Sequence, residues 1–293
     1  MIPLLAIAVA AVLLSVLLIR RAIWRRNRRA MLMGLPPEPD WAPILARNMV
    51  YAHLPEPLKR RLAGLMHVFL DEKRFEGCGG LEMTDEIRVT IAAQACVLLL
   101  GRTGGVFPQM RSIFVYPGAY VPDKLEMRGA LLGDPIPRLG EAWHRGPVVL
   151  AWDESSRGLT GRAVVRSPVI HEFAHQLDSE DGPADGMPIL PRSSSYADWA
   201  RVLHREFVRL RRNVTRGRPD VIDAYGAENP AEFFAVVTET FFEHPHALRR
   251  QHPELYAQLR GYYNLDPAAW TMPDAAGAAP ASAPVSAGRQ TAG

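Results

Sequence analysis

The apolar positions of this chain change their period several times. Ile2 to Ile19 is an uncharged, almost wholly apolar run. At about 1.5 Å per residue it spans about 27 Å, enough to cross a bilayer core, so it reads as one N-terminal transmembrane helix. Residues 31–54 lose periodicity among prolines and read as a linker. Leu62, Leu65, Met66 and Phe69 then recur at helical spacing within residues 58–73. Thr84-Asp85-Glu86 supplies an N-cap and an acidic first turn for a buried helix from Ile87 to Leu100, ended by Gly101. Arg111 to Tyr116 and Pro147 to Trp152 are rich in β-branched and aromatic residues and read as strands, with Thr160 to Val165 a further short strand or a loop. Helical patterns return at 169–178, 196–213, 230–243 and 246–263. Helices, then strands, then helices, without regular βαβ alternation, predict an α+β domain over residues 55–268, mainly helical with a small mixed sheet. Residues 273–293 contain one valine as their only large apolar side chain and read as a disordered tail.

Composition changes this picture in one place. The 293 residues are 48% hydrophobic and 22% charged, ordinary for a chain with a substantial core. The formal charge of +3 depends on Arg20, Arg21, Arg25, Arg26, Arg28 and Arg29; without these six, 28 basic residues face 31 acidic ones, a net of −3. Basicity therefore belongs to one segment, and no direct nucleic-acid binding by the body is expected. A secretory signal would carry its positive charge before the apolar run, whereas here the arginines follow it. Residues 1–30 are accordingly expected to be a retained anchor whose arginines meet lipid headgroups, with the domain on the cytoplasmic side of the plasma membrane. Cys78 and Cys96, outside any CxxC pattern, fit a reducing compartment and structural roles.

The chemistry concentrates in His171-Glu172-Phe173-Ala174-His175. Positions i and i+4 of a helix lie one above the other, so the two imidazoles can share a Zn2+ ion. Glu172 stands where it could take a proton from a water and pass it to a leaving amine. The pattern alone is moderately specific, and two histidines on one helix face are the bland alternative. No HExxHxxGxxH extension follows, since residues 176–181 read QLDSED, so a glutamate from a later helix is the expected third ligand. Asn229-Pro230-Ala231-Glu232 opens such a helix with an N-cap and a proline at its first position. Glu232 is the candidate and Glu239, about two turns on, its competitor; Glu243 reads as solvated. Asp178 either accepts a ligand histidine's N–H or closes the helix.

The blocks GLEMTDEIRVTIAAQACVLLL (80–100), IFVYPGAYV (113–121), GPVVLAWDE (146–154), VIHEFAHQLD (169–178) and IDAYGAENPAEFFAVVTETFF (222–242) resemble the Mlc titration factor A family of zinc-dependent peptidases. The resemblance covers roughly residues 55–266. It implies a zincin-like fold of gluzincin type, akin to the lethal-factor catalytic domain. It implies His171, His175 and Glu232 as zinc ligands, Glu172 as general base, and Tyr225 as a phenol that stabilises the oxyanion. It also implies a peptide or protein substrate, aminopeptidase-like activity on small substrates, and a transcriptional repressor as a partner. The N-terminal apolar segment and the tail depart from the soluble family type.

Overall fold

A computed structural model describes residues 2–118, 147–157, 167–192 and 194–270, with side chains described from residue 12 on, residue 49 excepted. The chain begins with α1, Ile2–Met33. Among the described residues no helix is long and apolar enough to cross a membrane. The expected transmembrane helix is thus without support in the structure, and residues 2–11 of the apolar run lie outside the described side chains. Every side chain from Val12 to Ile19 is exposed. The arginine half of α1 instead docks on α4, Glu56–Glu72. Arg28 Nε donates to Asp71 Oδ2 at 2.9 Å and Arg29 Nη2 to Glu72 Oε2 at 2.9 Å. Two of the six arginines expected at lipid headgroups therefore pair with carboxylates of the body. Gly64 permits the approach, since a Cβ there would lie 2.4 Å from the Met33 carbonyl oxygen.

Residues 31–54, expected as a linker, are built into the body. Pro39–Trp41 forms a 3-10 turn, followed by α2, Ala42–Leu45, and α3, Met49–His53. Leu32, Trp41, Leu45, Val50 and Leu54 are buried in the common core. Of the prolines that suggest interruption, Pro39 and Pro43 sit at helix starts, where a missing N–H costs nothing, while Pro36 and Pro37 lie in the irregular stretch between α1 and the 3-10 turn.

The apolar stripe of α4 buries Leu62, Leu65, Met66 and Phe69. Next come β1, Arg74–Gly77, and α5, Asp85–Val97, whose N-cap Thr84 accepts from the Ile87 amide at 3.3 Å. Strands β2, Ser112–Tyr116, and β3, Val148–Ala151, complete a sheet of order β1-β2-β3. The described strands all run parallel, with Phe75 opposite Ile113 and Ile113 opposite Val148; among the described residues no antiparallel pair of the expected mixed sheet occurs. Parallel neighbours need a crossover, and α5 supplies it between β1 and β2. β1 gives little sequence signal because RFEG is short and partly exposed. The possible strand at 160–165 and the tail at 273–293 lie outside the described residues.

After α6, Trp152–Arg157, three long helices follow: α7, Pro168–Asp178; α8, Tyr196–Thr215; and α9, Pro230–Glu243. The single helix expected over 246–263 is two, α10, Pro245–Gln251, and α11, Pro253–Tyr263. Pro253 disfavours helical geometry at His252, which adopts φ −135° and ψ 61°. α7 packs on α9 at the centre of the molecule. Phe173 on α7 is fully buried and meets Phe107 and Phe69 at centroid distances of 4.7 and 5.6 Å. Phe173→Ala should lower unfolding free energy by about 3–5 kcal/mol. A urea midpoint within error of wild type would refute this central role.

Candidate metal centre

α7 is fixed at its start by local chemistry. Ser167 caps it by accepting from the Ile170 amide at 3.1 Å and itself donates to Gln94 on α5, while Pro168 takes the first helical position. The apolar side, Val169, Ile170, Phe173, Ala174 and Leu177, is buried, so His171, Glu172 and His175 are left on the half-buried side facing α9 and the turn before it. That turn, Ala224–Ala227, carries Tyr225 and is capped by Asp223, which accepts from the Tyr225 amide at 2.7 Å. α9 is capped by Asn229, whose Oδ1 accepts from the Glu232 amide at 3.0 Å. Gly186, at φ 82°, lies against this corner. A Cβ there would meet the Pro230 carbonyl oxygen at 2.6 Å, so an L side chain is excluded by both space and conformation.

The three expected ligands come together. Glu232 Oε2 is 2.9 Å from His171 Nε2 and 3.5 Å from His175 Nε2, and the two Nε2 atoms are 3.2 Å apart. A tetrahedral ion with bonds of about 2.0–2.1 Å separates its ligand atoms by about 3.3 Å, so the donor set fits a metal of zinc's size and coordination. Among the described residues, these three form the group of histidine, cysteine and carboxylate side chains able to hold a metal ion together.

Glu239, the competitor, is placed behind the site. Its Oε1 accepts from His171 Nδ1 at 2.6 Å, which fixes the ring and leaves Nε2 to point at Glu232. The role considered for Asp178, accepting a ligand histidine's N–H, falls to Glu239 at His171. Asp178 Oδ2 accepts the Gly186 amide at 2.8 Å and tethers the loop beside α9; burial pushes its pKa up to about 6 despite that bond. Glu243, expected as solvated, is half-buried, and burial with the neighbouring Glu239 carboxylate raises its pKa well above the usual range. Sequence spacing puts Glu239 on the same face as Glu232, but only the side-chain geometry separates a group facing Nε2 from one facing Nδ1.

Electrostatics agree with a cation site. Burial disfavours a charged His171, yet hydrogen bonds to Glu232 and Glu239 outweigh it and raise its pKa to about 9. Hydrogen bonds from His171 and His175 pull Glu232 down to about 2. A group of atoms that attracts a proton this strongly also attracts a divalent cation. Burial raises the Glu172 pKa against the pull of both histidines. Tyr225 is 39% exposed, with its ring centroid 5.8 Å from that of His171. Cys96 is buried and Cys78 partly so, both as free thiols.

Comparison with known proteins places this geometry. The chain is 38% identical over 248 residues to an uncharacterized protein of Synechocystis sp., covering 83% of this chain and 90% of that protein. It is 31% identical to Mlc titration factor A of Klebsiella pneumoniae, over 78% of this chain and 87% of the relative. It is equally 31% identical to Mlc titration factor A of Pectobacterium atrosepticum, over 74% and 83%. A model of the glucose-regulated metallo-peptidase M90 family matches residues 21–264. A metal cofactor and a peptide substrate follow from that membership, and the chain belongs to the M90 metallo-peptidase family.

Proposed function

We propose that the chain is a zinc-dependent peptidase in which His171, His175 and Glu232 hold the metal, Glu172 is the general base and Tyr225 assists the oxyanion. The observation that carries this reading is the convergence of one oxygen and two nitrogens within 3.5 Å of one another beside the half-buried Glu172 carboxylate. When bound, Zn2+ supplies Lewis acidity toward water and toward the scissile carbonyl. Glu172 accepts the proton of the attacking water and delivers it to the leaving amine. Its raised pKa suits both halves of that task, because a carboxylate nearer neutrality is a stronger base and can still return the proton. Tyr225 donates its phenolic hydrogen where negative charge develops on the carbonyl oxygen. An extended peptide adds to the edge of β3, which among the described residues pairs only with β2. Small substrates are cut in an aminopeptidase-like manner.

The test uses the full-length protein purified with zinc present. About one zinc per chain is expected by mass spectrometry, with cleavage of internally quenched peptides that stops on chelation and returns with zinc. A metal-free, inactive wild type would overturn the reading.

A second reading draws on the relatives' name, Mlc titration factor A: the chain binds a transcriptional repressor and hydrolysis is secondary. The cellular effect of the protein would then survive loss of the general base. We also propose that the apolar half of α1 anchors the protein to the cytoplasmic face of the plasma membrane. The uncharged run before the arginines supports this placement, as does the exposure of every side chain from Val12 to Ile19. Deleting residues 2–19 should move the protein from the membrane fraction to the supernatant.

A further inference from the structure

His252 lies at the joint between α10 and α11 and is 1% exposed. Its Nδ1 is 2.8 Å from Glu206 Oε2 on α8, and its Nε2 is 2.8 Å from Asp220 Oδ1 in the segment between α8 and the Tyr225 turn. Ionised carboxylates only accept hydrogen bonds, so both ring nitrogens must donate and the ring must be an imidazolium. The two carboxylates carry further partners. Arg205 and Arg209 reach Glu206, and Asn213 Nδ2 donates to Asp220 Oδ2 at 2.8 Å. A buried charge with opposite charges on both sides is costly to assemble and costly to break at one side. Its position shows what it fastens.

Asp220 Oδ1, the atom facing His252, also accepts the Ile222 amide at 3.1 Å, and Ile222 is buried. Asp223 follows and caps the turn that presents Tyr225. Gly226 in that turn sits between α8 and α9, where a Cβ would lie 3.3 Å from both Leu210 and Val236 side-chain atoms. A shift of residues 220–223 would therefore carry over into the tyrosine.

We propose that His252 is a positioning residue for Tyr225: as a buried cation shared by Glu206 and Asp220, it pins residues 220–223 to α8 and so holds the phenol beside the metal centre. The inference rests on the oxyanion role of Tyr225 given above. Burial works against the charge of His252, but Asp220 and Glu206 outweigh it, with Arg209 opposing, and its pKa is raised. The same ring holds both carboxylates below their usual range. The clamp is therefore fully made below the ordinary histidine pKa, down to the lowered range in which Glu206 and Asp220 take up protons. It is lost as pH climbs through the raised value.

The test is a double-mutant cycle on the full chain, with steady-state cleavage of the best quenched peptide and circular dichroism as a folding control. His252→Gln should lower kcat by about 10-fold to 10²-fold with KM little changed, since misplacing a reacting group by about 1 Å can cost about 10². In a Tyr225→Phe background the same substitution should change kcat by less than about twofold, the usual limit for independent behaviour. Asp220→Asn keeps one acceptor oxygen for the Ile222 amide and removes the charge facing His252, at the cost of the acceptor that Asn213 uses. It should reproduce the result and stands in if His252→Gln does not fold. Equal losses from His252→Gln with and without Tyr225→Phe would show a purely structural role and overturn the inference. If Tyr225→Phe alone leaves kcat unchanged, the oxyanion reading itself fails, and the positioning role falls with it.

Discussion

Replacing Glu172 by glutamine should lower kcat by about 10²-fold to 10⁴-fold, the range supplied by a positioned general acid–base, with metal content unchanged. Glutamine keeps the length and one acceptor oxygen of the side chain but cannot take a proton at any working pH. Glu172 is not among the residues that converge on the metal position, so its charge is not needed to hold the ion. Burial raises its pKa and the neighbouring histidines lower it; the balance leaves a carboxylate more basic than an exposed one. The measurement is kcat on quenched peptides beside zinc per chain on the same preparation. Retention of more than a third of wild-type kcat would remove Glu172 from the reaction. Loss of metal together with activity would instead make it a support of the ligand set. The same variant separates the two functional readings, because binding of a repressor needs no proton transfer.

How much of the molecule is legible in the chain follows from how local each feature is. The two histidines are four residues apart, and a helix alone puts them side by side. The Asn229-Pro230 start of α9 is likewise local, so Glu232 can be placed in a first turn without any tertiary contact. The α+β class and most helices share that origin in apolar spacing. β1 escapes because four residues with a single large apolar side chain are too short to set a period, and with it goes the crossover between the parallel strands β1 and β2. Residues 31–54 mislead because proline breaks a helix interior but suits its first turn, and spacing does not say which position a proline holds. Pro253 is the reverse case, where continuous apolar periodicity runs across a real break. Nothing in the order of residues announces that His252, at that break, meets two carboxylates from 32 and 46 residues away.

With the zinc site proposed above, Glu232 and Glu239 have the most sharply separable roles. Both contact His171, one at each ring nitrogen, and both are glutamates on one face of α9. Glu232 Oε2 also lies within 3.5 Å of His175 Nε2, whereas Glu239 is buried at 3% exposure on the far side of the His171 ring. Removing a direct ligand leaves two imidazoles, too few for a protein to retain zinc against dialysis. Removing the outer carboxylate keeps three ligands and loses orientation, which typically costs about 10-fold to 100-fold in metal affinity or activity. Glu232→Ala should therefore come off a desalting column without zinc, while Glu239→Gln should retain it and release it to a competing chelator at a concentration about 10-fold to 100-fold lower than wild type requires. Glutamine at 239 can still accept the Nδ1 proton, so its effect isolates the charge of the carboxylate from its hydrogen bond. The ordering is the decisive result. Zinc lost from Glu239→Gln but kept by Glu232→Ala would exchange the two residues and force a rearrangement of His171 about its χ angles, because its Nδ1 would then have to face the metal.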